Sequence, residues 1–299
     1  GCFNVESPAE LELLAARAAA QGKVAPVALR INPDVDPQTH PYISTGLKQN
    51  KFGIDIAQAP ELYQQAARLP SLRIVGVAAH IGSQLLDLSP LVAAFARIRD
   101  LAEHLTQAGI PLTHLDLGGG LGIQYRETDT PPTPAAYAAA LAPLRQGLPW
   151  PLWLEPGRAL VGNAGILLTR VLALKATPTK QFAIVDAAMN DLLRPSLYQA
   201  WHELTPVVQR DTPAVAYDVV GPICESGDFL AKDRPLSLAA GDLLAVRSAG
   251  AYGFVMSSNY NTRPRAAELL IAHHQVHVAR QRERWEDLLG LEHLLPEGW

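Results

Sequence analysis

The alternation of short apolar segments with helical segments is the feature that most constrains how this chain can fold. Apolar segments begin near residues 27, 51, 72, 112 and 151, and with the helical segments they give five strand–helix units. Such alternation is typical of a parallel sheet. Polar clusters follow four of the strands, at Asn32, His80–Gln84, Gly118–Gly120 and Glu155–Arg158. The sequence therefore predicts a site at the carboxyl edge of a parallel sheet.

A (β/α)₈ barrel and a doubly wound sheet both bind ligands at that edge, but the doubly wound sheet does so at a single switch point. Because several strand ends carry polar clusters, we predict an α/β fold, a partial (β/α)₈ TIM barrel of about five βα units. The first residues, Gly1–Ser7, lack an initiator Met and resemble the end of a strand that enters a helix. We therefore expect three further units upstream, roughly 120 residues at about 40 per unit.

The pattern changes after Gly165. Four β-rich runs, at residues 166–174, 182–187, 214–220 and 243–248, are separated by turns that contain Pro, Gly and Asp. Such runs indicate a second, mainly β domain. We predict that residues 1–163 form the C-terminal part of the barrel and that residues 164–299 form the mainly β C-terminal domain.

Composition excludes several functional classes. The 299 residues carry a net charge of -4, and no basic stripe suggests a nucleic-acid partner. No apolar run reaches the roughly 18 residues that a membrane span needs. Two cysteines, Cys2 and Cys224, cannot form a disulfide framework, and no Cys/His spacing resembles a metal site. We expect a cytoplasmic enzyme without a metal.

Three consecutive glycines, Gly118–Gly120, directly follow the apolar strand Leu112–Leu117. Glycine permits positive φ and lets backbone N–H groups approach an anion, so a strand, a glycine turn and a helix together are typical of a phosphate site. A dinucleotide-binding turn would need an acidic residue about 20 residues later, whereas the next strand-end acid is Glu155. The glycines therefore predict a monophosphate site, and a tight turn without a ligand is the alternative that they leave open.

The sequence resembles the diaminopimelate decarboxylases in seven segments that occur in the same order along the whole chain. This family belongs to the fold type III, alanine-racemase-like enzymes, so the resemblance implies a (β/α)₈ barrel followed by a β domain. The seven segments lie at residues 40–53, 80–84, 115–122, 155–158, 194–198, 221–228 and 250–261.

The resemblance implies pyridoxal 5'-phosphate as the cofactor. His80 is similar to the imidazole that stacks on the cofactor ring. Glu155 is similar to the carboxylate that keeps the pyridine nitrogen protonated, and the protonated ring withdraws the electrons released with CO₂. The cofactor-binding residues implied in this way are His80, Ser83, Gly118, Gly119, Gly120, Glu155, Gly157, Arg158 and Tyr252.

The implied reaction is the decarboxylation of meso-2,6-diaminopimelate to L-lysine, an amino-acid substrate. Cys224 resembles the family's proton donor to Cα, so Cys224 and His80 are the implied catalytic residues, and Glu225 is similar to the acceptor of the distal amino group. Arginines suit the substrate carboxylates because the planar guanidinium can bind in bidentate fashion. In the family Cys224 and Glu225 project into the partner's site, which implies a homodimer. The implied substrate-binding residues are Arg158, Arg194, Tyr198, Glu225 and Tyr252.

One feature departs from the family. Its members hold the cofactor as a Schiff base on a lysine in a Tyr-Ala-x-Lys-Ala/Ser-Asn segment of an early barrel strand. The six lysines here, Lys23, Lys48, Lys51, Lys175, Lys180 and Lys232, all lack this context. We therefore expect the C-terminal fragment of a longer enzyme that needs the preceding segment for activity. An ornithine- or arginine-type decarboxylase of the same fold and a non-catalytic interaction domain are the alternatives.

Overall fold

The structure is a computed structural model that describes residues 1–36 and 51–298, so residues 40–50 of the predicted motif segment at residues 40–53 lie outside the described part. The chain folds into two compact units. The first comprises residues 1–124 and 128–160, and the second comprises residues 125–127 and those from 161 onward. The boundary predicted between residues 163 and 164 lies within a few residues of this division.

The first unit is a parallel sheet with helices between its strands. Its elements are β1 (Phe3–Val5), α1 (Pro8–Ala20), β2 (Ala25–Asn32), β3 (Ile54–Asp55), α2 (Ala59–Ala67), β4 (Leu72–Ala79), α3 (Ser89–Gln107), β5 (His114–Asp116), α4 (Pro134–Arg145) and β6 (Leu152–Trp153), with α5 (Gly157–Val161) at the boundary. Five parallel strands lie in the order β1-β2-β4-β5-β6, and β3 pairs with β2 beside this path.

The strand predicted at Lys51–Ile54 is present in the sheet, where it pairs in parallel with β2, but it is shorter and begins later than predicted. The strand there is β3, only two residues long, and the fifth member of the path is β1. Gly53 explains the difference, because its φ of +73° bends the chain before Ile54. A Cβ at Gly53 would also lie 3.1 Å from the carbonyl oxygen of Arg30. The glycine therefore allows a close approach to β2 instead of extending the strand.

Side-chain hydrogen bonds cap the start of α1. The hydroxyl of Ser7 accepts a hydrogen bond from the backbone N–H of Glu10 at 3.1 Å, and Pro8 occupies the first helical position. The Glu10 carboxylate accepts from the backbone N–H of Glu6, at 2.7 Å, one residue before the cap. These bonds pair donors that the start of the helix would otherwise leave open.

A bulge interrupts the pairing of β2 with β4, whose register shifts by one residue next to Val75. The wholly buried Tyr63 of α2 bridges the two strands at this point. Its hydroxyl donates to the carbonyl oxygen of Gly76 at 2.8 Å and accepts from the backbone N–H of Leu29 at 3.3 Å. Burial raises the pKa of Tyr63, so the hydroxyl keeps its proton. The phenol thus satisfies backbone groups of both strands where the register shifts.

The second unit is mainly β. Its elements are β7 (Leu167–Ala176), β8 (Gln181–Val185), α6 (Arg194–Tyr198), β9 (Leu204–Pro206), β10 (Val215–Val220), β11 (Phe229–Leu236), β12 (Leu243–Val246), β13 (Glu268–Ala272), β14 (Gln275–Arg280) and α7 (Trp285–Leu289). The main sheet has the order β11-β10-β8-β7-β12-β9, and β13 and β14 form a separate hairpin. Val171, Val185, Val219, Leu244 and Val246 are fully buried in its core. Within the described residues, no helix combines the length and apolarity needed to cross a bilayer.

Candidate active site

The candidate site of the first unit lies where three neighbouring parallel strands end. His80 follows β4, Gly118–Gly120 follow β5, and Glu155 follows β6. These strands are adjacent in the sheet, in the order β4-β5-β6. Because the carboxyl ends of parallel strands share one edge, the three polar clusters predicted from the sequence come together there.

The glycine turn fits tightly against its neighbours. Gly118 has a φ of +66° and Gly120 a φ of +115°, which side chains rarely adopt. A Cβ on Gly118 would lie 2.5 Å from the carbonyl oxygen of Ala79, and a Cβ on Gly119 would overlap the carbonyl oxygen of Glu155. Glycine is therefore required here by the packing of the three strand ends.

Hydrogen bonds fix the turn in place. The backbone N–H of Gly118 donates to the Asp116 carboxylate at 2.9 Å, and the backbone N–H of Glu155 donates to the Gly118 carbonyl at 2.7 Å. The backbone N–H of Gly119 donates to Nδ1 of His80 at 3.2 Å. Two amides of the turn thus already have protein partners, and the predicted phosphate contact of the glycines stays a prediction.

The Gly119 hydrogen bond sets the protonation state of His80. A nitrogen that accepts cannot carry a proton, so Nδ1 is bare and the neutral ring is protonated on Nε2. Burial lowers the pKa of His80 to about 4, and the positive charge of Arg30 acts in the same direction, against the opposing carboxylates of Asp116 and Glu6. The imidazole is therefore neutral at physiological pH and can present an uncharged ring face.

We expect His80 to stay neutral, protonated on Nε2, well below neutral pH in the folded protein. Its pKa is about 6.5 in an unfolded chain and about 4 when folded. Protonation therefore favours the unfolded state, and the contribution of His80 to stability falls as the pH drops from about 6.5 to about 4. ¹⁵N NMR of the histidine side chains measures this. An imidazolium signal from His80 at about pH 6 would contradict the assignment.

Glu155 lies beside a second carboxylate. Partial burial raises the pKa of Glu155, the negative charge and side-chain hydrogen bond of Asp116 raise it further, and Arg30 acts in the opposite direction. A carboxylate in such surroundings gains from a cation brought close to it. The Glu155 carboxylate can therefore accept a hydrogen bond from a protonated ring nitrogen of a ligand.

Ser83 and Arg158 form the fourth part of this edge. Nη2 of Arg158 donates to the Ser83 hydroxyl at 3.0 Å, and the guanidinium is buried at the start of α5. A Cβ added to Gly157 would meet no atom within 4 Å, so the backbone beside Arg158 is open. A guanidinium, a hydroxyl and an accessible backbone segment are groups that suit a phosphate.

Sequence reasoning missed three charged residues of this edge. Arg30 and Glu6 form an ion pair at 2.7 Å, and the second carboxylate oxygen of Glu6 accepts from the backbone N–H of Gly53 at 3.2 Å. Asp116 holds the glycine turn, as described above. The signal for Arg30 was a charged residue inside an apolar strand, and the signal for Asp116 was an acid two residues before a glycine turn.

In the second unit, α6 carries two of the predicted substrate residues. Arg194 and Tyr198 are four residues apart on this short helix, which places them on the same face. Arg194 is buried, with 5% of its surface exposed. The hydroxyl of Ser196 donates to the carbonyl oxygen of Gly227 at 2.6 Å. This bond connects α6 to the loop that carries the next pair of predicted residues.

Cys224 and Glu225 are exposed on that loop, residues 221–228. Asp228 holds the loop in place. Its carboxylate accepts hydrogen bonds from the backbone N–H groups of Met189 and Ile223, both at 2.7 Å. The hydroxyl of Tyr260 donates to the Glu225 carboxylate. Sequence reasoning missed Tyr260 as the partner of Glu225. The loop thus presents a thiol and an oriented carboxylate to solvent.

Tyr252 occupies a strained backbone position. Its φ is +58°, which a bulky side chain rarely adopts, and 44% of its surface is exposed. A Cβ on Gly250 or on Gly253 would overlap a neighbouring backbone carbonyl, so both flanking glycines are required. The role of Tyr252 in binding stays a prediction.

The comparisons with known proteins define the class of the protein. Residues 1–162 match the family described as "Pyridoxal-dependent decarboxylase, pyridoxal binding domain". This range contains the strand-end histidine, the glycine turn and the carboxylate. The first unit is therefore the cofactor-binding part of a pyridoxal-dependent carboxy-lyase.

Individual relatives identify a narrower family within this class. The chain is 59% identical to the diaminopimelate decarboxylase of Pseudomonas aeruginosa over 296 residues, which cover 99% of this chain and 71% of that protein. It is 54% identical to the enzyme of Vibrio cholerae, with 99% and 71% covered. The crystal structure of diaminopimelate decarboxylase from Helicobacter pylori complexed with L-lysine is similar with a TM-score of 0.92 and 43% identity, covering 97% of this chain and 72% of that one.

The chain belongs to the diaminopimelate decarboxylase family. The family and the fold class predicted from the sequence are thus confirmed. The roles of the individual site residues stay predictions.

Proposed function

We propose that the protein decarboxylates meso-2,6-diaminopimelate to L-lysine with pyridoxal 5'-phosphate, using the residues assembled at the strand ends of its first unit. The observation that carries the proposal is the joint placement of a neutral histidine and a carboxylate on either side of one glycine turn. The identity of 59% to a diaminopimelate decarboxylase supports the choice of substrate.

The donor set fits pyridoxal phosphate. The neutral His80 ring suits the face of the cofactor ring, the Glu155 carboxylate suits a protonated pyridine nitrogen, and Arg158 with Ser83 suits the phosphate. When bound, the cofactor supplies a conjugated electron sink for the electron pair released with CO₂. Glu155 contributes by remaining an anion beside the ring nitrogen, which keeps the proton there.

The second unit supplies substrate groups in this proposal. Arg194 and Tyr198 hold a substrate carboxylate, and Glu225, oriented by Tyr260, accepts the distal ammonium group. The Cys224 thiol donates a proton to the substrate Cα after CO₂ has left. A substrate that lacks the distal carboxylate would lose the contact to Arg194, so the arrangement favours diaminopimelate over ornithine or arginine.

The experiment that tests the function measures CO₂ release by the intact protein with meso-diaminopimelate, ornithine and arginine. Release from diaminopimelate alone is the expected result. Release from ornithine or arginine instead would favour the alternative decarboxylase. Absence of release from all three, together with absence of cofactor absorbance, would favour a non-catalytic interaction domain.

We further propose a homodimer in which Cys224 and Glu225 serve the partner's site, which agrees with the exposure of both residues on their loop. Complementation tests this arrangement. Cys224→Ala and Glu155→Gln are each expected to be nearly inactive, whereas equal amounts mixed and allowed to exchange subunits should recover about a quarter of wild-type activity. Dimers that form but recover no activity would place all the groups in one protomer.

A further inference from the structure

His202 is a wholly buried histidine of the second unit that no predicted role includes. It lies between α6 and β9, with 0% of its surface exposed. Its Nε2 lies 2.8 Å from Nη1 of Arg194, and its Nδ1 lies 2.9 Å from the carbonyl oxygen of Arg247. One ring nitrogen thus faces a hydrogen-bond donor, and the other faces an acceptor.

The two partners fix the state of the ring. A guanidinium can only donate, so Nε2 must accept, and a carbonyl oxygen can only accept, so Nδ1 must carry the proton. His202 is therefore neutral and protonated on Nδ1 in the folded protein. The ring of Tyr125 meets it edge-on, with centroids 5.2 Å apart and an angle of 81° between the planes.

This hydrogen bond has a particular consequence for Arg194. A carboxylate partner would orient a guanidinium and also cancel its charge, whereas a neutral imidazole orients it and leaves the charge in place. The guanidinium carbon of Arg194 lies 4.5 Å from the centroid of the Tyr125 ring, which limits rotation from a second side. The His202 imidazole and the Tyr125 ring, both uncharged, thus contact the Arg194 guanidinium from two sides.

A second arginine, Arg234, holds the backbone of His202. Nη2 of Arg234 donates to the carbonyl oxygen of His202 at 2.9 Å. Arg234 and Arg126 both stack on the Trp201 ring, with Arg126 4.3 Å from the centroid, and the Glu203 carboxylate lies 3.8 Å from Arg234. The bond from Arg234 fixes the backbone of His202, and with it the position of the ring that accepts from Arg194.

We propose that His202 is a positioning residue that orients Arg194 for the carboxylate of the amino-acid ligand without neutralising it. The inference rests on the proposed function, in which Arg194 binds that carboxylate. It adds a residue that acts through Arg194 and touches no reacting atom.

Two substitutions test the hydrogen bonds of the two ring nitrogens separately. In H202Q the amide oxygen can reach the Nε2 position and accept from Arg194. In H202N the shorter amide can keep the hydrogen bond to Arg247 but offers no acceptor to Arg194. A purely structural role predicts similar effects of both, whereas a positioning role predicts that H202N is much the worse for ligand binding.

Calorimetric binding to the intact holoenzyme provides the measurement, with L-lysine and with cadaverine, which is lysine without its carboxylate. We expect H202N to weaken L-lysine binding about ten- to hundredfold and to change cadaverine binding by less than about threefold, with H202Q close to wild type for both. An equal loss for both ligands, or full L-lysine affinity in H202N, would overturn the inference. Wild-type protein that binds neither ligand would instead refute the proposed function.

A measurement without ligand tests the hydrogen bond on which the inference depends, even if the variants do not fold. ¹⁵N NMR of the wild-type protein should show His202 protonated on Nδ1 and bare on Nε2 between about pH 6 and about pH 8. An imidazolium, or the opposite tautomer, would overturn the inference because Nε2 could then not accept from Arg194.

Discussion

Replacing Glu155 by Gln is expected to lower kcat for diaminopimelate about 100-fold or more while the protein stays folded. Glutamine has the same shape but carries no charge, so it cannot keep the ring nitrogen of the cofactor protonated. The electron sink is then weaker at the moment when CO₂ leaves, and the loss falls on kcat more than on KM.

The same substitution should not destabilise the cofactor-free protein at alkaline pH. Partial burial and the Asp116 carboxylate raise the pKa of Glu155 in the folded state. The contribution of Glu155 to stability is therefore complete below its unfolded pKa of about 4.3 and is lost as the pH rises through the folded value. Glutamine does not titrate, so the variant should lose less stability than wild type between about pH 5 and about pH 8.

Three measurements test this prediction: CO₂ release for kcat, absorbance for cofactor content, and denaturant unfolding of the cofactor-free protein at both pH values. Glu12→Gln is the control, since Glu12 lies on an exposed position of α1. It removes a carboxylate from the same unit and should leave all three measurements unchanged. An E155Q enzyme that keeps more than about a tenth of wild-type kcat would show that the ring nitrogen needs no anion here.

The second large effect is expected at the glycine turn. Gly119→Ala should destabilise the protein by about 1–3 kcal/mol and abolish cofactor binding at ordinary concentrations. The added Cβ would overlap the backbone carbonyl of Glu155, which is not a flexible side chain that can move away. The turn would have to shift, and the hydrogen bond from Gly119 to His80 would break with it.

Gly157→Ala is the matched control for the effect on folding. A Cβ at Gly157 meets no atom within 4 Å, and its backbone is helical, so the substitution should be neutral or stabilise the fold by about 0.4–1 kcal/mol. Denaturant unfolding compares the two variants, and absorbance of the bound cofactor is read in parallel. If Gly119→Ala were as stable as Gly157→Ala, the close packing of the strand ends would not be the reason for glycine at this position.

The sequence was sufficient for those parts of the first unit that depend on local patterns. Apolar segments predicted the positions of β2, β4 and β5. The glycines, the histidine and the carboxylate at strand ends indicated the edge of the sheet at which the candidate site lies. The strand predicted at Lys51–Ile54 was too long for a physical reason. The bend at Gly53 depends on close packing against Arg30, which belongs to another strand.

The electrostatic part of the site was harder to predict, because it depends on residues far apart in the chain. The pair Arg30–Glu6 joins residues 24 positions apart, and the bond from Gly119 to His80 joins residues 39 positions apart. The partnership of His202 with the Arg247 carbonyl spans 45 positions. Such partners follow from strand register and loop placement, neither of which a local pattern contains.

The bulge beside Val75 affects the direction in which His80 points. Side chains alternate between the two faces of a strand, so one extra residue exchanges the faces for every position that follows it. His80 comes five residues after Val75, and the face to which it points relative to β2 therefore depends on that single inserted position. Tyr63 bridges the two strands at the bulge and thus stabilises the shifted register. Through this register it helps to determine the side of the sheet on which the imidazole lies.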